Sequence, residues 1–195
     1  MIEEIRIENY QSHKKTLLQF SKGVNSIIGI SDSGKSSILL SFREDTNLLS
    51  YFSLNPTKGV NIETVTTPES KMLIWEFGGQ KRYREDHIKN LHKYLKDVDR
   101  VIFVIDIQDF DRYELALDYF KDIITFLDKF NIGVDITVYL HKFDPNLTKR
   151  EKFADLDKNI TPKLIEKIEK IIPSQYNCSF YKTSIYTVFE KFLIK

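Results

Sequence analysis

The clearest chemistry in the chain sits in eight residues near its beginning. Gly29-Ile30-Ser31-Asp32-Ser33-Gly34-Lys35-Ser36 fits the pattern G-x-x-x-x-G-K-[ST], a loop that wraps phosphate groups when it joins a strand to a helix. The apolar run Val24-Asn25-Ser26-Ile27-Ile28 before it and Ser37-Ile38-Leu39-Leu40 after it supply that context. Backbone N–H groups from Gly29 through Ser37 point inward at phosphates in such a loop, and the helix N-terminus adds partial positive charge. Lys35 is expected to reach the β- and γ-phosphates, and the Ser36 hydroxyl to ligate Mg²⁺.

Three further stretches bear on which nucleotide and what reaction. His141-Lys142-Phe143-Asp144 closes an apolar run at Ile136 to Leu140. An aspartate there can accept hydrogen bonds from both N1–H and the exocyclic amine of guanine, a donor pair that adenine lacks. The Lys142 stem would lie along the base plane. By itself the segment reads better as a capped strand end before Pro145; beside a phosphate loop it argues for GTP. In Trp75-Glu76-Phe77-Gly78-Gly79-Gln80, the Gly79 N–H can meet a γ-phosphate and Gln80 can orient an attacking water. Thr57, between the phosphate loop and that segment, offers a second hydroxyl ligand to Mg²⁺.

The elements that must position these residues follow from periodicity. Ile2 to Tyr10 alternates apolar and polar residues, and Thr16 to Phe20 suggests a second strand. Ile62 to Val65 and Met72 to Trp75 predict a hairpin, with Thr46 to Gly59 largely loop. Ile88, Leu91, Leu95 and Val98 recur at helical spacing; Val101 to Ile105 reads as a buried strand of the kind parallel sheets use. Ala116, Phe120, Ile123, Leu127 and Phe130 mark an amphipathic helix. Thr161 as N-cap and Pro162 at the first helical position open another. Ser179 to Tyr181 predicts a last strand and Tyr186 to Lys195 a final helix. Strands and helices alternate almost throughout. The expectation is one α/β domain over residues 1–195 with a P-loop NTPase fold. It has a mainly parallel central sheet with helices on both faces, extra N-terminal strands, and its ligand at the strand carboxyl ends.

Composition narrows the classes. The chain is 42% hydrophobic and 29% charged, ordinary for a soluble domain, and its net charge of +1 gives no global field favouring nucleic acid or an anionic membrane. The single cysteine, Cys178, excludes an internal disulfide and is expected as a buried small hydrophobe. Val101 to Ile105 is far short of the ~20 apolar residues that span a bilayer. No lipidation box or secretory signal is visible. The expected address is the cytoplasm, without a direct membrane anchor, any membrane recruitment being left to partners. His13, His87 and His92 lack metal-ligand spacing and read as surface residues. Lys81-Arg82-Tyr83-Arg84 reads as a solvated, mobile helix start, and Asn146 to Asn159 as an exposed, charge-rich loop or short helix.

From Ile28 onward the chain resembles Ras-superfamily small GTPases of the Arf and Rag/Gtr branches. Pro56-Thr57-Lys58-Gly59-Val60-Asn61-Ile62-Glu63-Thr64-Val65 and Trp75 to Gln80 are similar to Arf and Arf-like switch regions. Gly29 to Ser37, His141 to Asp144 and Thr183-Ser184-Ile185 are closer to Rag/Gtr, where His replaces the usual Asn. The resemblance implies that GTP and GDP bind with Mg²⁺, that the Ser184 N–H contacts the guanine O6, and that Thr183 and Ile185 flank it. It also implies effectors and regulators at two switch regions, about 52–63 and 76–90, with roadblock- or longin-type proteins among them. Glu76 departs from the usual Asp, which holds a Mg²⁺-bound water, and that bears on hydrolysis. No arginine has an evident role at the γ-phosphate, so fast turnover is expected to need a partner. Ile5 to Gly29 resembles the N-terminus of SMC/Rad50/RecF-type ATPases.

The reading is therefore a guanine-nucleotide switch that hydrolyses GTP slowly. One alternative is a GTP-bound scaffold with negligible hydrolysis. Another is a fragment of an ABC- or SMC-like ATPase. Against the latter, Ile107 rather than Glu follows Asp106, and only 44 positions separate Lys35 from Gly79.

Overall fold

The computed structural model describes residues 3–7, 16–20, 23–43, 48–66 and 71–186. Its strands are β1 (Glu3–Ile7), β2 (Thr16–Phe20), β3 (Gly23–Ile28), β4 (Val60–Thr66), β5 (Lys71–Phe77), β6 (Arg100–Asp106), β7 (Asp135–His141) and β8 (Cys178–Lys182). The helices are α1 (Lys35–Leu40), α2 (Leu48–Phe52), α3 (Lys81–Tyr94), α4 (Tyr113–Lys129) and α5 (Thr161–Glu169). Six strands form one sheet in the order β4-β5-β3-β6-β7-β8. The β4–β5 hairpin is antiparallel and every other pairing is parallel.

Strand β6 explains why the sheet needs cover on both sides. All seven of its residues are buried, and its side chains alternate between faces with the period of two that a pleated strand imposes. Val101, Phe103 and Ile105 enter one core with Leu91 of α3, Phe120 and Ile123 of α4, and Leu164 and Ile168 of α5. Ile102 and Val104 enter the other with Ile38 and Leu39 of α1, Ile74 and Tyr139. Phe103 and Phe120 pack with ring centroids 4.8 Å apart.

The extra N-terminal strands β1 and β2 pair antiparallel with each other as a separate two-stranded sheet. α2 interrupts the segment expected to be loop. Helix α3 starts at Lys81 and ends at Tyr94, so Val98 lies beyond it, buried in the turn before β6. Thr161 is not an N-cap. A π-helical turn over Leu156–Ile160 makes the backbone helical before Thr161, whose hydroxyl is buried with no hydrogen-bond partner among the described residues. Residues 146–159 wind into short helical turns that bury Leu147, Phe153 and Leu156. Cys178 is half-buried at the start of β8. Tyr186 lies in loop; the rest of the expected C-terminal helix, and His13, lie outside the described residues. Among the described residues no helix is long and apolar enough to cross a membrane.

Candidate nucleotide-binding site

The candidate residues gather at the sheet edge where the parallel strands β3, β5, β6, β7 and β8 end and the antiparallel β4 begins, the phosphate loop lying where the strand order reverses beside β3. Residues 29–34 join β3 to α1. Gly34 has φ +93°, and a Cβ there would lie 2.4 Å from Cδ2 of His141. Glycine is therefore needed twice over, for conformation and for space. Asp32 is left-handed as well, with φ 63°. Lys35 is buried, its Nζ donating to the Ile30 carbonyl at 2.8 Å and lying 3.4 Å from Ser33 Oγ. Burial lowers its pKa to about 8, against the raising influence of Glu76 and Asp32.

Next to Lys35, Ser36 Oγ lies 3.2 Å from Thr57 Oγ1, although the two are 21 residues apart. Both hydroxyls donate to Oε1 of Glu76, Thr57 at 2.9 Å. Among the described residues no cluster of three His, Cys, Asp or Glu offers a metal site. These oxygens are instead the hard donors that suit Mg²⁺.

The Gly78-Gly79 pair ties this corner together. The Gly78 N–H donates to the Gly59 carbonyl at 2.8 Å, and the Ser31 N–H donates to the Gly79 carbonyl at 3.0 Å. Gln80 has an extended backbone at the start of α3 and its carbonyl accepts from the N–H groups of Tyr83 and Arg84; its side chain makes no capping bond. The start of α3 is not wholly solvated. Arg84 is buried and its Nη1 donates to the Gly79 carbonyl at 2.8 Å. His87 is also buried rather than at the surface, edge-on to Phe77 at 5.0 Å, because it falls on the face of α3 that meets the sheet. Burial lowers its pKa. His92 is exposed.

At the other end of the site, Asp144 accepts from Gln108 Nε2 at 2.9 Å and from the Ser184 hydroxyl. Lys142 Nζ donates to the Asp32 carbonyl and to Asp106 Oδ2, each at 2.7 Å, which locks the base loop to the phosphate loop. The Phe143 N–H donates to the Thr183 carbonyl, and Ile185 packs in the α1-side core. His141 is buried between Gly34 and Thr183, its Nδ1 2.9 Å from Thr183 Oγ1. It braces the two loops.

Burial, then Lys142, push the His141 pKa from 6.5 to about 4. The folded protein thus favours the neutral ring, and the stability this adds is full above pH 6.5 and lost as pH falls toward 4. His141→Asn should remove that dependence, which amounts to about 2 kcal/mol between pH 7.5 and 4.5. Urea unfolding at the two pH values measures it; an unchanged difference would place the acid sensitivity elsewhere.

Four contributors carry no local sequence signal: Asp106, Gln108, Arg84 and Arg112. Arg112 Nη1 lies 3.2 Å from the Ser31 carbonyl oxygen and 3.7 Å from Asp32 Oδ2, while Asp109 holds the rest of the guanidinium. The one available clue was position. Asp106 and Gln108 lie at the carboxyl end of a fully buried parallel strand, where such folds place ligand-facing groups.

A phosphate loop at the switch point of a mostly parallel sheet, with a second loop bridged to it by Lys142, defines a P-loop nucleotide-binding protein. The Gtr1/RagA G protein conserved region matches residues 27–193, and the chain belongs to the Ras superfamily of small GTPases. It is 34% identical over 136 residues to ADP-ribosylation factor-like protein 2 of Dictyostelium discoideum, covering 67% of this chain and 68% of that one. Other Arf-like relatives are covered over 43% to 61% of their lengths. The fold resembles that of the Arl6 BBS3 small GTPase from Trypanosoma brucei with bound GppNp (TM-score 0.57, 18% identity, 84% of this chain and 87% of that one). An AAA domain family also matches residues 4–43. There the chain is 53% identical over 38 residues to the DNA double-strand break repair Rad50 ATPase of Pyrococcus abyssi, 20% of this chain and 4% of that one. Membership makes the protein a GTP-binding member of a switch family whose members hydrolyse GTP and meet regulators and effectors.

Proposed function

We propose that the protein binds GTP and GDP with Mg²⁺ and hydrolyses GTP slowly. Lys35 and the N–H groups of the phosphate loop beyond Ser31, whose own N–H is taken by the Gly79 carbonyl, hold the phosphates. Ser36 and Thr57 ligate Mg²⁺, which when bound offsets charge on the β- and γ-phosphates. Asp144 and the Ser184 N–H read guanine, Lys142 lies along the base, and Thr183, His141 and Ile185 support that loop. Gln80 orients the attacking water. The observation that carries this reading is the convergence of Ser36, Thr57 and Glu76 beside a buried Lys35.

Slow turnover follows from where the arginines at the phosphate loop are engaged. Arg84 is engaged with the Gly79 carbonyl and Arg112 with Ser31 and Asp109, so charge at the γ-phosphate must come from a partner. Intrinsic rates without such an arginine are on the order of 10⁻³ s⁻¹ or below. Partners are placed at residues 52–63 and 76–90, where Phe52, Leu54, Ile62 and Ile88 are exposed; roadblock- or longin-type proteins are the proposed class. The proposed location is the cytoplasm, with partners supplying any membrane recruitment.

Single-turnover hydrolysis of GTP in Mg²⁺ tests the reading. Gln80→Leu should keep GTP affinity and lose at least about tenfold in rate. Equal rates would move the water-positioning role off Gln80. Tight GTP binding with no turnover in the wild type would favour the scaffold reading, to which Glu76 points.

A further inference from the structure

Resting on the Mg²⁺-nucleotide reading, we propose that the Glu76 carboxylate is itself a direct ligand of the metal, a third protein oxygen beside Ser36 and Thr57. Its surroundings call for a cation. Glu76 is 2% exposed, and a buried carboxylate is costly unless a positive charge faces it. Among the described residues it forms no salt bridge, and its hydrogen-bond partners are two neutral hydroxyls. The ammonium of Lys35 attracts it electrostatically but makes its hydrogen bond to the Ile30 carbonyl, so no cation touches the carboxylate.

The oxygens also have the right spacing. Oε1 lies 2.9 Å from Thr57 Oγ1 and closer still to Ser36 Oγ, and the two hydroxyls are 3.2 Å apart. Octahedral Mg²⁺ holds oxygens at about 2.0–2.1 Å, which puts adjacent ligand oxygens about 2.9 Å from one another. The three oxygens thus outline one face of an octahedron, its Ser36–Glu76 edge shorter than ideal, with Oε1 standing where a metal-bound water would otherwise sit. A side chain one methylene shorter, starting from the same β5 backbone, would withdraw its carboxylate and leave room for that water.

Water counting decides the matter. Mn²⁺ replaces Mg²⁺ in the complex with GppNp, and bound waters are counted from EPR line broadening in ¹⁷O-enriched water. Two hydroxyls, two phosphate oxygens and Glu76 leave one of the six octahedral positions for water in the wild type; Glu76→Asp should show two. Glu76→Gln, which removes the charge, should raise the free Mg²⁺ needed for half-maximal GDP retention by at least about tenfold. Two waters in the wild type, or an unchanged Mg²⁺ midpoint in Glu76→Gln, overturns the assignment while tight nucleotide binding leaves the GTPase reading standing. If the wild type retains no guanine nucleotide at saturating Mg²⁺, that reading falls and the ligand assignment with it. The wild-type count decides even if both variants fail to fold.

Discussion

Asp144→Asn should convert a GTP-preferring protein into one that favours XTP. On the proposed reading the wild-type carboxylate accepts from both N1–H and the 2-amine of guanine, bonds worth about 1.5–3 kcal/mol each because one partner is charged. Adenine offers neither donor, so GTP should be preferred over ATP by at least ~10²-fold. Xanthine carries an oxygen in place of the 2-amine, which a carboxylate repels and an amide N–H satisfies. The surroundings say how the amide would turn. Gln108 Nε2 can only donate, so the new carbonyl oxygen must face it. The new amide nitrogen then faces the Ser184 hydroxyl, which can accept as well as donate. Lys142 still bridges Asp32 and Asp106, so phosphate contacts should be unaffected. The His141 ring, bonded to Thr183, is expected to brace the loop rather than read the base edge. Titrating GTP, ATP and XTP against both proteins measures the inversion. An ATP preference in the wild type would overturn the guanine assignment and revive the ATPase alternative.

What could be read from the chain alone divides by the distance over which each feature is determined. The phosphate loop is local: strand, Gly-rich turn and helix start lie within about a dozen consecutive residues, so pattern suffices. The hairpin and the buried strands were equally legible, because alternation and apolar runs report burial directly. Register, by contrast, brings together residues that share no local pattern. Gln108 meets Lys142 and Asp144 from 34 and 36 positions away, and Arg112 meets Ser31 from 81. Polarity also misled at α3. His87 and Arg84 look like surface residues, yet they occupy the inward face of the helix. There Arg84 satisfies a carbonyl and His87 packs among Phe77, Tyr83 and Tyr94. The Thr161 cap was plausible chemistry at a helix start, defeated by a turn that was already helical. The Glu76 substitution was legible as a departure; only the convergence of oxygens on it suggests what the longer side chain does.

Gly79→Ala should abolish most hydrolysis while sparing GDP binding. Gly79 does not need glycine for its backbone conformation; it needs the space. A Cβ there would lie 2.3 Å from both the carbonyl carbon of Ile30 and the nitrogen of Ser31, about 1 Å inside ordinary contact. Both atoms are backbone, so no side chain can swing away, and the segment itself must back off the phosphate loop. That movement breaks the Ser31 N–H bond to the Gly79 carbonyl and strains the buried Arg84 bond to the same oxygen. Losing them should cost about 2–4 kcal/mol of the docked arrangement, and with it on the order of 10²-fold in the rate of a reaction that depends on Gln80, the next residue. GDP should bind nearly as before, because Lys35, the loop N–H groups beyond Ser31 and Asp144 are untouched. Single-turnover kinetics and hydrogen exchange at the Ser31 amide report the two halves of the effect together. Faster exchange with normal hydrolysis would show that close docking of Gly79 is dispensable for the chemistry. Normal exchange would show that the loop accommodates the methyl group without retreating. The partner glycine supplies the contrast. A Cβ on Gly78 would meet the Thr57 carbonyl oxygen at 2.5 Å, so Gly78→Ala should disturb the Thr57 side of the site and weaken metal retention instead.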